Sequence, residues 1–92
     1  KKVILQLAKD AIKEAVLKEK IVNKDYYLKN YPWLKNKGAV FVTINEFNNL
    51  RGCIGSIIAH QGLFEDIVKN AKSAALNDPR FRPVSKEELN NL

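Results

Sequence analysis

Between residues 2 and 19, aliphatic and charged side chains alternate at helical spacing. Ile4, Leu5, Leu7, Ala8, Ala11, Ile12, Ala15 and Val16 fall on one arc of roughly 180° at 100° per residue, with Gln6, Lys9 and Lys13 opposite. The pattern predicts an amphipathic helix with one face to bury. The period then disappears. Residues 21–37, IVNKDYYLKNYPWLKNK, interleave Tyr26, Tyr27, Tyr31 and Trp33 with lysines, and Pro32 biases Tyr31 toward extended backbone. This stretch reads as a connector, not as a continuing helix. From Gly38 the run GAVFVTI is dense in β-branched and aromatic residues, a second apolar run begins at Leu50, and the asparagine-rich residues 45–49 lie between them. A β-hairpin follows, with strands near 39–45 and 50–58. After His60-Gln61-Gly62, the residues Leu63, Phe64, Ile67, Val68, Ala71, Ala74 and Ala75 share an arc of roughly 140°, which predicts a second amphipathic helix over 63–77. Glu65 and Asp66 sit in its first turn, where the macrodipole favours anions. Pro79 ends it, Asp78-Pro79-Arg80-Phe81 fits a type I turn, and Ser85-Lys86-Glu87-Glu88 has the form of a capping box that starts another helix.

Helix, hairpin, helix, turn and helix start imply an α+β fold, an antiparallel sheet packed by amphipathic helices. Two strands alone are marginal in water. The expectation is therefore a single partial domain over residues 1–92, truncated at its C-terminal side, or one that self-associates through exposed strand edges. A chain of 92 residues buries only about 60–65% of its unfolded surface, so the core is thin.

Composition narrows the classes. Hydrophobic residues at 46% and charged residues at 28% exclude disorder and low complexity. No run of 18 apolar residues and no charged-then-apolar leader is present, which makes a cytoplasmic protein without a membrane partner the expectation. A single cysteine agrees with a reducing compartment and leaves a thiol to explain. The net charge of +6 invites nucleic acid as a partner, with Lys24, Lys29, Tyr31, Trp33 and Lys35 as a basic, aromatic surface; a solvated face and rings that pin a long loop are the plainer alternatives.

The most chemical stretch is Leu50-Arg51-Gly52-Cys53-Ile54-Gly55. Glycine in a strand marks a bulge or the close approach of a ligand or another backbone. In a regular strand Arg51, Cys53 and Gly55 share one face. A guanidinium beside a thiol favours the thiolate, so Cys53 is a candidate nucleophile, Arg51 a candidate anion-binding group, and Gly52, Ile54 and Gly55 candidate ligand contacts. The alternative is that Cys53 packs as a small hydrophobe and Arg51 reaches solvent. Arg80 and Arg82 flank Phe81, and Arg80 is a further candidate for an anionic ligand; a pair with Asp78 or a helix carboxyl end, with Phe81 as a buried anchor, is the plainer alternative. A Cys53/His60 dyad requires the chain to fold back. One cysteine and one histidine do not make a metal site, and no Walker loop, Rossmann fingerprint, HEXXH or EF-hand points to a cofactor.

Gly38 through Thr43, Leu50 through Gly55, Asn70 through Ala75, Asp78-Pro79-Arg80-Phe81 and Val84 through Leu89 together resemble the AMMECR domain family, known in bacteria and archaea as AmmeMemoRadiSam system protein A. The hexapeptide LRGCIG is the family's signature. The resemblance runs from the first helix to the last residue and covers about the first half of the family's domain; in relatives a strand and a second α/β half follow. It implies an α+β fold around an antiparallel sheet. The family's activity is not established, but its prokaryotic members look like one component of a system with a Memo-like protein and a radical SAM enzyme. That context implies an accessory or enzymatic role on a small molecule or partner protein, with the Arg51–Gly55 strand as its site. Arg82 departs from the proline or small residue that relatives often carry.

Overall fold

The computed structural model describes residues 2–56 and 61–92. Expectations that rest on His60 or on the end of the second strand beyond residue 56 lie outside the described residues. The first helix, α1 (Lys2–Leu17), turns Leu7, Ala11 and Ile12 into the core. It stops two residues earlier than its pattern allows because Lys18 adopts a left-handed backbone, φ 56°, as C-terminal caps commonly do. Glu14 fastens the returning chain: its carboxylate accepts the N–H groups of Ile21 and Val22, both at 2.9 Å, and pairs with Lys72.

The connector expected over 21–37 is instead largely helical. Asn23 accepts the Tyr26 N–H at 3.0 Å and caps a short helix, α2 (Lys24–Asn30), and a single 3-10 turn follows over Pro32–Lys35. The missed feature is local, a capping asparagine ahead of seven residues too few to show a period. Tyr27 and Leu34 anchor the segment. Tyr27 is buried, and its hydroxyl donates to Asp10 at 2.8 Å.

The hairpin comprises β1 (Phe41–Glu46) and β2 (Asn49–Gly55), paired antiparallel. The turn is tighter than the expected five residues. Only Phe47 and Asn48 lie between the strands, both left-handed at φ 52° and 64°, as a type I′ turn requires. Ile44 pairs with Gly52 and Asn45 with Leu50, which leaves Arg51 as the extra residue of a bulge. Val42, Ile44 and Ile54 face the third helix, α3 (Leu63–Leu76), which lies against both strands while α1 packs along it. This is the α+β architecture expected.

Asp66 does more than complement a macrodipole. Fully buried, it accepts the Val40 N–H (2.8 Å), the Ser56 hydroxyl (2.7 Å), the Gln61 amide (3.1 Å) and the Asn70 amide (3.1 Å), tying the entry to β1 and the exit from β2 to α3. After α3, the capping box forms as expected, with the Ser85 N–H donating to Glu88 at 3.0 Å, but it opens a 3-10 turn over Lys86–Asn91, not an α-helix.

Candidate functional site

The bulge decides where Arg51 goes. With no partner on β1, its side chain is buried, and the anion that it meets belongs to the protein: Nε and Nη2 donate to the two Glu88 carboxylate oxygens at 2.7 and 2.9 Å. Nη1 and Nη2 also donate to the carbonyls of Arg82 (2.8 Å) and Pro83 (3.2 Å). Glu46 stands 3.9 Å from Nε. Arg51, above all, holds the Glu88 carboxyl well below the usual carboxylate range, and Glu88 in turn raises the guanidinium pKa. A bidentate guanidinium–carboxylate pair with two carbonyl bonds leaves little donor capacity for an external anion.

Neither glycine of the motif opens onto free space. A Cβ on Gly52 would strike the Ala74 carbonyl, so the residue is small because the end of α3 crosses β2 there. A Cβ on Gly55 would enter the Phe41 ring, which lies across the strand. Ile54 packs toward the core.

Cys53 remains. It is partly exposed, and its Sγ lies 3.5 Å from the Thr43 hydroxyl across the hairpin. Its backbone N–H points away from β1 and donates to Asp78 Oδ2 at 2.9 Å. The same carboxylate accepts the backbone N–H and Nε of Arg80 (3.0 and 3.1 Å) and its Nη2 (2.8 Å). Asp78 is buried whereas the Arg80 side chain is 57% exposed, so the cation stands at the surface and its counterion beneath it. Arg80 is the main reason that the Asp78 carboxyl is held well below the ordinary aspartate value. Asp78 foremost, with a smaller contribution from Cys53, favours the charged guanidinium of Arg80. The guanidinium that shares Cys53's surroundings is thus Arg80, and Asp78, which spacing alone did not single out, is the group that links them. The pair of Arg80 with Asp78 is the plainer alternative that the sequence offered for this turn; the bond from Asp78 to the Cys53 backbone had no signal there.

The basic, aromatic residues occupy other elements. Lys24 pairs with Glu65 at 3.4 Å and lies over the Phe64 ring; Lys29 and Lys35 are exposed. Tyr31 is half-buried, edge-on to Trp33 at 6.3 Å between centroids. Among the described residues no cluster of three or more His, Cys, Asp or Glu side chains could hold a metal, and no helix is long and apolar enough to cross a membrane.

The model of the AMMECR1 family matches residues 5–92, and the chain belongs to that family. Protein LS215_2104 of Saccharolobus islandicus is 38% identical over 93 residues, 97% of this chain and 40% of that protein. A protein of Sulfolobus acidocaldarius is 41% identical over 95 residues, 99% of this chain and 40% of its own length. The crystal structure of the uncharacterized protein PH0010 from Pyrococcus horikoshii superposes with a TM-score of 0.82 at 39% identity, covering 96% of this chain and 45% of that one. The chain thus spans about two fifths of the length of the curated relatives that it matches.

Proposed function

We propose that this part of an AMMECR1-family protein acts on a small molecule or a partner protein, in an accessory or enzymatic role, at the exposed surface formed by Cys53, Thr43 and Arg80. In this reading Cys53 supplies a thiol nucleophile or contact. Arg80 draws in an anionic group, and Arg51 serves from behind by fixing the strand. One observation carries the assignment: the Asp78 carboxylate holds the Cys53 backbone and the Arg80 guanidinium at once, with Arg80 still exposed. A charged guanidinium kept at the surface by a buried counterion is suited to bind carboxylate or phosphate. Memo-like and radical SAM proteins, which the family resemblance implies as partners, are the first candidates for co-purification.

The test compares two alkylating reagents on the native protein, anionic iodoacetate and neutral iodoacetamide. If Arg80 recruits anions to the thiol, the rate ratio of iodoacetate to iodoacetamide falls several-fold in Arg80→Gln. A thiol inert to both reagents until the protein unfolds, or a ratio unchanged by Arg80→Gln, would overturn the reading.

A further inference from the structure

The segment between α1 and β1 keeps two large aromatic side chains at the surface. Tyr27, buried and bonded to Asp10, and Leu34, fully buried, already anchor it. Tyr26 and Trp33 remain 52% and 40% exposed. They are the outer members of a continuous row of rings, Tyr26 to Tyr27 at 5.5 Å, Tyr27 to Tyr31 at 6.5 Å and Tyr31 to Trp33 at 6.3 Å, whose inner members brace them from behind. A large aromatic side chain gains several kcal/mol from burial, so two exposed rings held beside a buried and a half-buried one call for an explanation outside the core.

The charge around them is one-sided. Residues 24–37 contain Lys24, Lys29, Lys35 and Lys37 against a single acid, Asp25. Lys24 is engaged by Glu65, whereas Lys29, Lys35 and Lys37 are exposed and make no ion pair among the described residues. Tyr26 and Lys29, three residues apart on α2, lie on one side of the helix. Lys35 closes the 3-10 turn that presents Trp33. Each exposed ring therefore shares its short element with an exposed lysine that makes no ion pair among the described residues.

Exposed rings set beside unpaired cations fit one ligand chemistry especially well: bases that stack and phosphates that need neutralising. We infer that this surface binds single-stranded nucleic acid, with bases stacked on Tyr26 and Trp33 and phosphates on Lys29, Lys35 and Lys37. The stacking carries no sequence code, so binding is sequence-tolerant. Duplex bases, already stacked on one another, cannot use the rings. The inference is independent of the Cys53 surface.

Trp33 is the only tryptophan of the chain, so its own fluorescence reports the contact. Titration with oligothymidylate at low salt should quench it. Affinity should fall with salt along a log–log slope of about −2, the value for three phosphate contacts on a single strand. In anisotropy with a labelled oligonucleotide, Trp33→Ala should weaken binding roughly ten-fold or more, the effect of one lost stack, and Trp33→Phe should restore most of it. Lys29→Glu with Lys35→Glu, both on exposed positions, tests the phosphate half even if Trp33→Ala fails to fold, and should lower affinity and flatten the salt slope. Absence of binding at low salt, equal binding of duplex without quenching, or full affinity in a folded Trp33→Ala variant would each overturn the inference.

Discussion

Replacing Arg51 by methionine separates a structural arginine from a ligand-binding one. Methionine keeps most of the side-chain length and removes every donor. The Glu88 carboxylate then loses both Arg51 bonds while keeping those from the Ser85 N–H and hydroxyl, and the carbonyls of Arg82 and Pro83 lose their Arg51 bonds. The Arg51 and Glu88 side chains are only 10% and 18% exposed, so solvent screens the pair little. Breaking such a pair from one side costs about 3–5 kcal/mol. A domain of this length has about 5–14 kcal/mol in total, so the variant loses a large share of its stability and its thermal midpoint falls by roughly 12–24 °C for a loss of about 3 kcal/mol. The sign of the pH dependence follows from the pair. The folded-state pKa of Glu88 is depressed, so its contribution is fully present above the ordinary glutamate value and is lost as pH falls through the folded value. The gap between wild type and Arg51→Met in urea unfolding should therefore be widest near neutrality and narrow below about pH 4. A double-mutant cycle with Glu88→Leu should return a coupling of about 2–3 kcal/mol. A midpoint change worth under about 1 kcal/mol, or a coupling near zero, would refute the claim that Arg51 is committed to Glu88, and would return it to the ligand site.

Two further outcomes follow from the same strand. Gly52→Ala should lower the thermal midpoint more than Gly55→Ala, because the first Cβ meets the Ala74 backbone carbonyl and the second meets the exposed, movable Phe41 ring. Asp78→Asn should flatten the acid limb of the stability curve: the Asp78 pKa is depressed in the folded state, chiefly by Arg80, so the wild-type carboxylate stabilises above the ordinary aspartate value and loses that contribution as pH falls. Equal acid limbs in the two proteins would show that the Asp78 link to Arg80 and Cys53 is not made in solution.

Much of the fold was legible because long amphipathic helices write their period plainly. α1 and α3 lie within two residues of where the pattern put them, and the hairpin was marked by β-branched runs on either side of asparagines. What was hidden is non-local. The bulge at Arg51 depends on a tight turn that uses Phe47 in a left-handed conformation, a place where sequence favours asparagine or glycine. The two glycines read as room for a ligand, yet Ala74 and Phe41 fill that room, and neither neighbour can be inferred from spacing. Asp66 sat in the expected turn, but its burial among groups from three other segments could not be read from position. Of the candidate site, Cys53 and Arg80 were visible as residue types. Their connection through Asp78 spans 25 residues of chain and exists only in the fold.

The carboxylate of Asp78 on the Cys53 N–H also sets a direction for growth. At that point the outer rim of β2 is capped by a charged group that a neighbouring strand would have to displace. Among the described residues no charged side chain caps β1 in this way, and beside it runs an apolar trough of about 200 Å³ walled by Ile4, Leu5, Ala8, Phe41, Ile67 and Leu92, among other residues. A strand that joined this hairpin at β2 would have to displace that bond, whereas one that joined at β1, above α1, would not. However wide the sheet becomes by that route, Cys53 stays on its outermost strand, at the margin and not in the middle.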